Sequence, residues 1–344
     1  MSVSFRSLDP DRTDEWGQVL SHCQAGTAFH TLAWKRAIAR SLQYTPAHRV
    51  GIDSTGEIIA LVPGFSVPEI SGRTIVNPFC EYGYPLVNGK TRTKPLLEEL
   101  ESSLGRSSTL ILKESPLSGI SGYYPTGYAG IRTGVAFRLS TAVSYESLRE
   151  TKFNADLRSS LRDATTYDLE LRERNALDAY YPLYLQTMRR LGSPQFSRAF
   201  FEALLDEFDQ AATVLVLESA GESVAGVFYL DYDGTRHVLS NASDPDHWEK
   251  HPNEYLYAEI IRRACEGECT VVDFGRTERD SSLFEFKTKF GGTVFPLISF
   301  VTPPHNVRRA SVSQYKRLEP LSKRLAPLLT HPTVGPRVKR WIHE

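Results

Sequence analysis

The feature that most constrains this chain is a repeat. Val50-Gly51-Ile52-Asp53 runs into Ser54-Thr55-Gly56-Glu57 and then Ile58-Ile59-Ala60-Leu61-Val62. After a shift of 165 residues, Leu215-Val216-Leu217-Glu218 runs into Ser219-Ala220-Gly221-Glu222 and then Ser223-Val224-Ala225-Gly226-Val227. Each copy is two β-branched-rich runs joined by a polar, glycine-containing turn, the pattern of a hairpin. The same shift lays the helical pattern of Thr31 to Leu42 over that of Phe196 to Glu207. Helix, strand, turn and strand at one spacing, twice, predict duplicated domains. At 344 residues the chain is long enough for two cores.

Each copy continues in a similar order. In the second, a strand at Arg236 to Ser240 leads through a loop to a helix from Asn253 to Glu266. A strand at Thr270 to Phe274, a short helix at Leu283 to Phe290 and a strand at Val294 to Val301 follow. In the first, Thr74 to Asn77 reads as strand, Lys94 to Leu104 as helix and Thr109 to Lys113 as strand. Such alternation around a hairpin predicts an α/β (α+β) chain, each domain a mixed, mostly antiparallel sheet flanked by helices. The boundary is expected at Thr141 to Ser144, giving domains 1–141 and 142–302 and a tail, 303–344; a basic helix, Phe153 to Thr165, opens the second domain.

Composition narrows the class. A hydrophobic fraction of 41% and a charged fraction of 24% are ordinary for a globular protein. The longest apolar runs, such as Val224 to Leu230, fall short of the roughly 20 residues a bilayer needs. No basic stretch followed by an apolar one marks the N-terminus as a signal peptide, so a cytoplasmic protein is expected. Four cysteines make no disulfide framework. Cys265 and Cys269 lack the two further ligands a metal would need, so no metal is expected. The net charge of −1 conceals an asymmetry: nine Lys/Arg against two Glu from Asn306 onward leave an acidic body with a basic tail.

Four stretches then carry a resemblance. They are Phe29-His30-Thr31-Leu32-Ala33-Trp34, the basic helix with Asn154, Arg158 and Arg162, and Leu191-Gly192-Ser193-Pro194 before Phe200-Phe201. The fourth comprises Asn241-Ala242-Ser243-Asp244-Pro245, Pro252-Asn253, Asp273-Phe274-Gly275-Arg276 and Phe286-Lys287-Thr288-Lys289-Phe290-Gly291. Together they resemble tandem GNAT acyltransferase domains of the FemAB type, whose aminoacyltransferases build peptide cross-bridges on cell-wall precursors. The resemblance is greatest to FemAB-related proteins associated with exported polysaccharides. It implies transfer of an aminoacyl or acyl group to an amine, with aminoacyl-tRNA as donor and an envelope precursor or polysaccharide as acceptor. An acyl-coenzyme A donor is the alternative. Coenzyme A users of the superfamily carry a glycine-rich turn that holds pyrophosphate on bare N–H groups. Here Asn241 to Asn253 contains no glycine. No tightly bound cofactor is expected. A non-catalytic binding module is a third reading.

Acyl transfer to an amine needs an oriented nucleophile, a stabilised oxyanion and a grip on phosphate. Lys287 matches the FemAB lysine where donor and acceptor meet; by sequence it is a solvent-facing helix residue. Asp273, flanked by apolar neighbours, is the carboxylate best placed as a base. Arg276, at a strand end after Gly275, suits phosphate or carboxylate. Arg158 and Arg162 share a helix face and with Lys152 form a basic patch. Asn241, Asp244 and Asn253, on the loop after the central strand, are expected to bind substrate or phosphate. Trp34 and Tyr82 are read as a pocket wall or the first-domain core. His30 and His237 are read as core histidines.

The tail has its own pattern. Pro320 can open a short helix whose Leu321, Leu325, Leu328 and Leu329 share a face. Lys316, Arg317, Lys323 and Arg324 flank it, and Arg337, Lys339 and Arg340 precede Trp341-Ile342. This suits peripheral docking on the anionic inner face of a membrane, or packing against the acidic body.

Overall fold

The computed structural model describes residues 3–8, 13–23, 25–67, 73–88, 93–105, 108–114, 116–118, 124–172, 176–310 and 323–341. The chain divides into two compact units. The first is Met1–Gly134 with Pro296–Arg317 and Arg337–Glu344; the second is Val135–Phe295 with Leu318–Pro336. The division falls inside a strand and earlier than the expected Thr141 to Ser144, because the residues after Gly134 pair with the second unit's sheet. The stretch after 302 likewise forms no separate segment but is shared between the units.

The first unit contains β1 (Ser4–Ser7), α1 (Thr13–Ser21), α2 (Leu32–Leu42), β2 (Thr45–Pro46), β3 (Arg49–Ile52), β4 (Ile58–Val62), β5 (Phe65–Val67), β6 (Arg73–Val76), β7 (Leu86–Val87), α3 (Thr93–Ser102), β8 (Ser108–Glu114) and the start of β9 (Ala129–Ser140). The expected helix begins where its cap dictates: the Thr31 hydroxyl accepts the Trp34 N–H at 3.1 Å. The expected hairpin is β3–β4, antiparallel. Pro63 and Gly64 then break the strand, so that β4 joins β1, β3 and β7 while β5 pairs with β2 and β6. A β-carbon on Gly64 would meet Ile75 Cγ2 at 2.7 Å, which explains the glycine at this bend. β6 runs parallel to β8, and Leu97 and Leu100 of α3 pack with Ile75, Leu110 and Leu112.

The same bend holds His48, whose Nδ1 accepts the Gly64 N–H at 3.2 Å between the edge-on rings of Trp16 and Phe65. Burial, reinforced by the charge of Lys35, pushes its pKa down to about 3. The unfolded chain, with an ordinary histidine near pH 6.5, therefore binds a proton that the folded unit refuses. Stability from this group is complete above pH ~6.5 and falls as the pH falls. Going from pH 7 to 5 should cost about 2 kcal/mol, and His48→Gln should remove that part of the slope. Denaturant titrations at both pH values check this; equal slopes in wild type and variant would contradict it.

The second unit contains the end of β9, α4 (Tyr145–Thr151), α5 (Ala155–Ala164), β10 (Glu170–Arg172), α6 (Leu177–Leu191), α7 (Arg198–Phe208), β11 (Ala212–Ser219), β12 (Glu222–Tyr232), β13 (Thr235–Ser243), α8 (Pro252–Glu266), β14 (Val271–Thr277), α9 (Ser282–Thr288) and the start of β15 (Thr293–Thr302). Its strands lie in the order β10-β11-β12-β13-β14-β9, antiparallel except for β13 and β14. Ala220 and Gly221, both at positive φ, make the two-residue turn expected between β11 and β12. One sheet face packs α4, α5 and α8 through Leu148, Leu157, Leu256, Ile260, Phe274 and Phe290. The other takes α6 and α7, where Tyr180 and Phe201 meet edge-on and Phe201 lies 5.4 Å from Phe228, ring centre to ring centre.

The tail packs on both units. In the second, Ala326 and Thr330 are buried and Gln195 Nε2 donates to the His331 carbonyl at 3.1 Å. In the first, Tyr44 donates to the Arg340 carbonyl at 2.6 Å. The helix over Ala326–Leu329 is a single turn. Its small residue is buried, while Leu325, Leu328 and Trp341 stay exposed. Lys316, Arg317, Pro320, Leu321 and Ile342 lie outside the described residues.

Candidate active site

The parallel pairing of β13 with β14 lasts only three residues: Thr235↔Val271, Arg236↔Val272 and His237↔Asp273. Beyond that vertex β13 continues to Ser243, paired with β12 alone, and β14 continues to Thr277, paired with β9 alone. The two strands therefore part, and among the described residues no strand pairs with the β13 edge from Val238 onward. An open edge inside a sheet is a ready template for an extended, amide-bearing ligand. Two local irregularities accompany the parting: a register shift in β13 opposite Phe228 and Tyr229, and another in β14 between Asp273 and Arg276, where Gly275 takes φ +70.

Three ionisable side chains meet at the vertex on three neighbouring strands. Asp273 is 1% exposed; its Oδ1 accepts the Gly275 N–H at 2.9 Å. Its Oδ2 lies 3.5 Å from Arg138 Nε and 3.9 Å from His237 Nδ1. The register explains the cluster, since His237, Asp273 and Arg138 are directly paired residues and so share a sheet face. Arg138 carried no signal in the sequence, because only the pairing of β9 with β14 brings it here.

Lys287 differs from expectation. Rather than facing solvent from α9, it is 2% exposed, and its Nζ donates to the carbonyls of Gly275 and Arg276, each at 3.1 Å. The ammonium thus takes up two acceptors on the strand that has left its parallel partner. Phe286 and Phe290 of the same segment pack on Tyr257, and Phe290 also on Phe153 and Phe274. The glycine after Phe290 is required: at φ +75, a β-carbon on Gly291 would come within 2.3 Å of the Lys152 carbonyl. Lys289 turns away to Glu254, 3.0 Å distant. Arg276 is half-buried on β14 beside Ala136 of β9.

The loop residues gather at the far end of β13. Asn241 Nδ2 donates weakly to Asn253 Oδ1 at 3.5 Å, and Asn253 Nδ2 donates to Ser243 Oγ at 3.0 Å. Trp248 Nε1 donates to the same Ser243 oxygen at 2.9 Å. Asp244 caps the 3-10 turn Pro245–Lys250 through the Asp246 N–H. Side chains therefore fill the entrance to α8, where a glycine-rich turn would leave bare N–H groups. Of the basic patch, Arg158 is taken up by the Phe153 carbonyl, while Arg162 and Lys152 are exposed. Trp34 and Tyr82 are fully buried in the first unit; Trp34 Nε1 donates to Asn77 Oδ1 at 3.2 Å. They belong to its core. The sequence reading missed Tyr180, whose hydroxyl lies 2.5 Å from Ser240 Oγ on β13, and whose ionisation burial suppresses.

Residues 151–288, which hold His237, Asp273, Arg276 and Lys287, match the model of the acetyltransferase (GNAT) domain. The second unit holds a GNAT-like domain. Its fold is shared with solved structures at low identity. FemX is 12% identical with a TM-score of 0.67, over 89% of this chain and 99% of that one. The C-terminal domain of a putative lysylphosphatidylglycerol synthetase from Agrobacterium fabrum is 13% identical with a TM-score of 0.57, over 90% and 96%. Saccharomyces cerevisiae N-myristoyltransferase with bound myristoyl-CoA is 14% identical with a TM-score of 0.52, over 88% and 83%. No curated protein sequence matches. In this GNAT-like domain the parted strands, the vertex and Lys287 form the candidate active site.

Proposed function

We propose that the protein is a FemAB-type N-acyltransferase that moves an aminoacyl group from aminoacyl-tRNA to an amine on an envelope precursor or polysaccharide. The observation that carries this reading is the parting of β13 from β14 with the Lys287 ammonium donating to the carbonyls of Gly275 and Arg276 on β14. The open edge of β13 orients the donor, and the buried ammonium adds positive potential beside the carbonyl that becomes an oxyanion. The side-chain-filled entrance to α8 supports a donor that does not rest a pyrophosphate there. Arg162, Lys152 and Arg276 are the cations proposed to hold donor or acceptor phosphates, with Arg158 supporting their helix. Asn241, Asp244 and Asn253 shape the loop at the donor's exit.

The first unit is proposed as a second GNAT-like domain that serves the acceptor. Its order of helix, hairpin, strand, helix and strand, with β6 parallel to β8, repeats that of the second unit. Among the described residues no helix is long and apolar enough to cross a membrane. The exposed Leu325 and Leu328 beside Arg324 would suit peripheral contact with the inner leaflet from a cytoplasmic protein.

A coenzyme A thioester is the second reading, favoured by the free edge of β13, which also suits a pantetheine arm with its two amides. Charged tRNA and acyl-coenzyme A, each offered with an amino-sugar acceptor, separate the two. Transfer from charged tRNA alone is expected. Transfer from the thioester alone would reverse the assignment.

A further inference from the structure

Trp248 is the one large aromatic side chain of the second unit's described residues that is both exposed, at 45%, and fixed in place next to the parted strands. Its indole N–H is held by Ser243, which is buried at the end of β13 and also accepts from Asn253. The Arg190 guanidinium lies 5.0 Å from the ring centre. A rigid indole carrying a guanidinium offers a surface on which a flat, π-bearing group can stack. Such a ring left in water is not explained by the packing of α6 or α8.

We propose that Trp248 and Arg190 form a stacking platform for a nucleobase in the single-stranded 3′ end of the acyl-carrying RNA. The inference rests on the proposed tRNA donor and adds a specific contact to it. Its place along β13 decides which base is meant. From His237 at the vertex to Ser243 the strand spans roughly 20 Å at its usual rise. That is too far for the nucleotide bearing the ester, so the stacked base belongs to a nucleotide further back along the single strand. The surrounding charge decides the kind of attraction. Arg189, Arg190 and Lys250 are offset by Asp244, Asp246 and Glu249 on the adjoining loop. Stacking rather than phosphate attraction therefore dominates, and binding at this point depends only weakly on salt.

The test uses the full chain, a short uncharged RNA ending in the single strand CCA, and coenzyme A. Binding is followed by tryptophan fluorescence and, independently, by calorimetry. Trp248→Ala should weaken RNA binding on the order of tenfold or more, while Trp248→Tyr keeps most of it and Arg190→Ala loses less. In turnover, Trp248→Ala should raise KM for charged tRNA by a similar factor and leave both kcat and the acceptor KM unchanged. Unaltered RNA binding in Trp248→Ala overturns the proposal. So does a rise confined to the acceptor KM, or a loss of coenzyme A binding with RNA binding intact, which would make the platform an adenine seat. Trp248-dependent RNA binding without any transfer from charged tRNA would instead sink the donor assignment and leave the platform standing.

Discussion

Replacing Lys287 by alanine should abolish transfer and lower the melting temperature together. The side chain is buried, and its ammonium satisfies the carbonyls of Gly275 and Arg276 at 3.1 Å each. Alanine leaves both acceptors without this donor in a dry site, at a cost of about 2–4 kcal/mol in all. Activity should fall by about 100-fold or more, the usual consequence of removing a charge-stabilising donor from an acyl-transfer site. Two mechanisms can produce that loss: the missing positive potential and the displaced end of β14. Lys287→Met separates them, because it restores the apolar stem but neither the charge nor the hydrogen bonds. It should recover part of the stability and none of the activity. A Met variant with near-normal turnover would remove the cation from the chemistry, and an alanine variant with an unchanged melting curve would contradict the two carbonyl contacts.

Much of the second unit was legible because its signals are local. The hairpin turn at Ala220-Gly221, the helix opened by Asn154, whose Oδ1 accepts the Leu157 N–H at 2.8 Å, and the apolar run before Gly275 each declare themselves within a few residues. The repeat at one spacing located both hairpins. What stayed hidden depends on strand pairing across long separations. β9 enters the sheet beside β14 although well over a hundred residues divide them, and no local pattern marks Arg138 as the neighbour of Asp273. Lys287 illustrates the same limit from the other side. A lysine on a short helix reads as solvated, and only the carbonyls of Gly275 and Arg276, which its ammonium reaches, make its burial favourable. Trp34 and Tyr82 offered the reverse difficulty, since aromatic residues around glycine and proline fit a pocket wall and a core equally well. The polar partner of Trp34, Asn77, lies 43 residues away.

Asp273→Ala should be the most destabilising single change in the second unit's site. The carboxylate is buried against Arg138, whose side chain is 16% exposed, and it also accepts the Gly275 N–H. Removing one partner of a buried ion pair typically costs about 3–5 kcal/mol, because the remaining charge is left uncompensated. The small opening of Arg138 to water places the expectation toward the lower end of that range. Asp273→Asn is the more informative companion. An amide oxygen can still accept the Gly275 N–H and hold the turn, while the negative charge facing Arg138 and His237 disappears. If Asp273 chiefly anchors the point where β13 and β14 part, the Asn variant should lose stability and activity in proportion, and a second change, Arg138→Met, should restore part of both by removing the stranded cation. If Asp273 is instead the base that takes the acceptor's proton, the Asn variant should keep its melting curve yet lose turnover, with the acidic limb of its pH–rate profile gone and no rescue by Arg138→Met. The crowded geometry favours the anchor: Oδ1 is committed to the turn, and Oδ2 faces both a guanidinium and an imidazole. A folded, inactive Asn variant would overturn that expectation and return Asp273 to the chemistry.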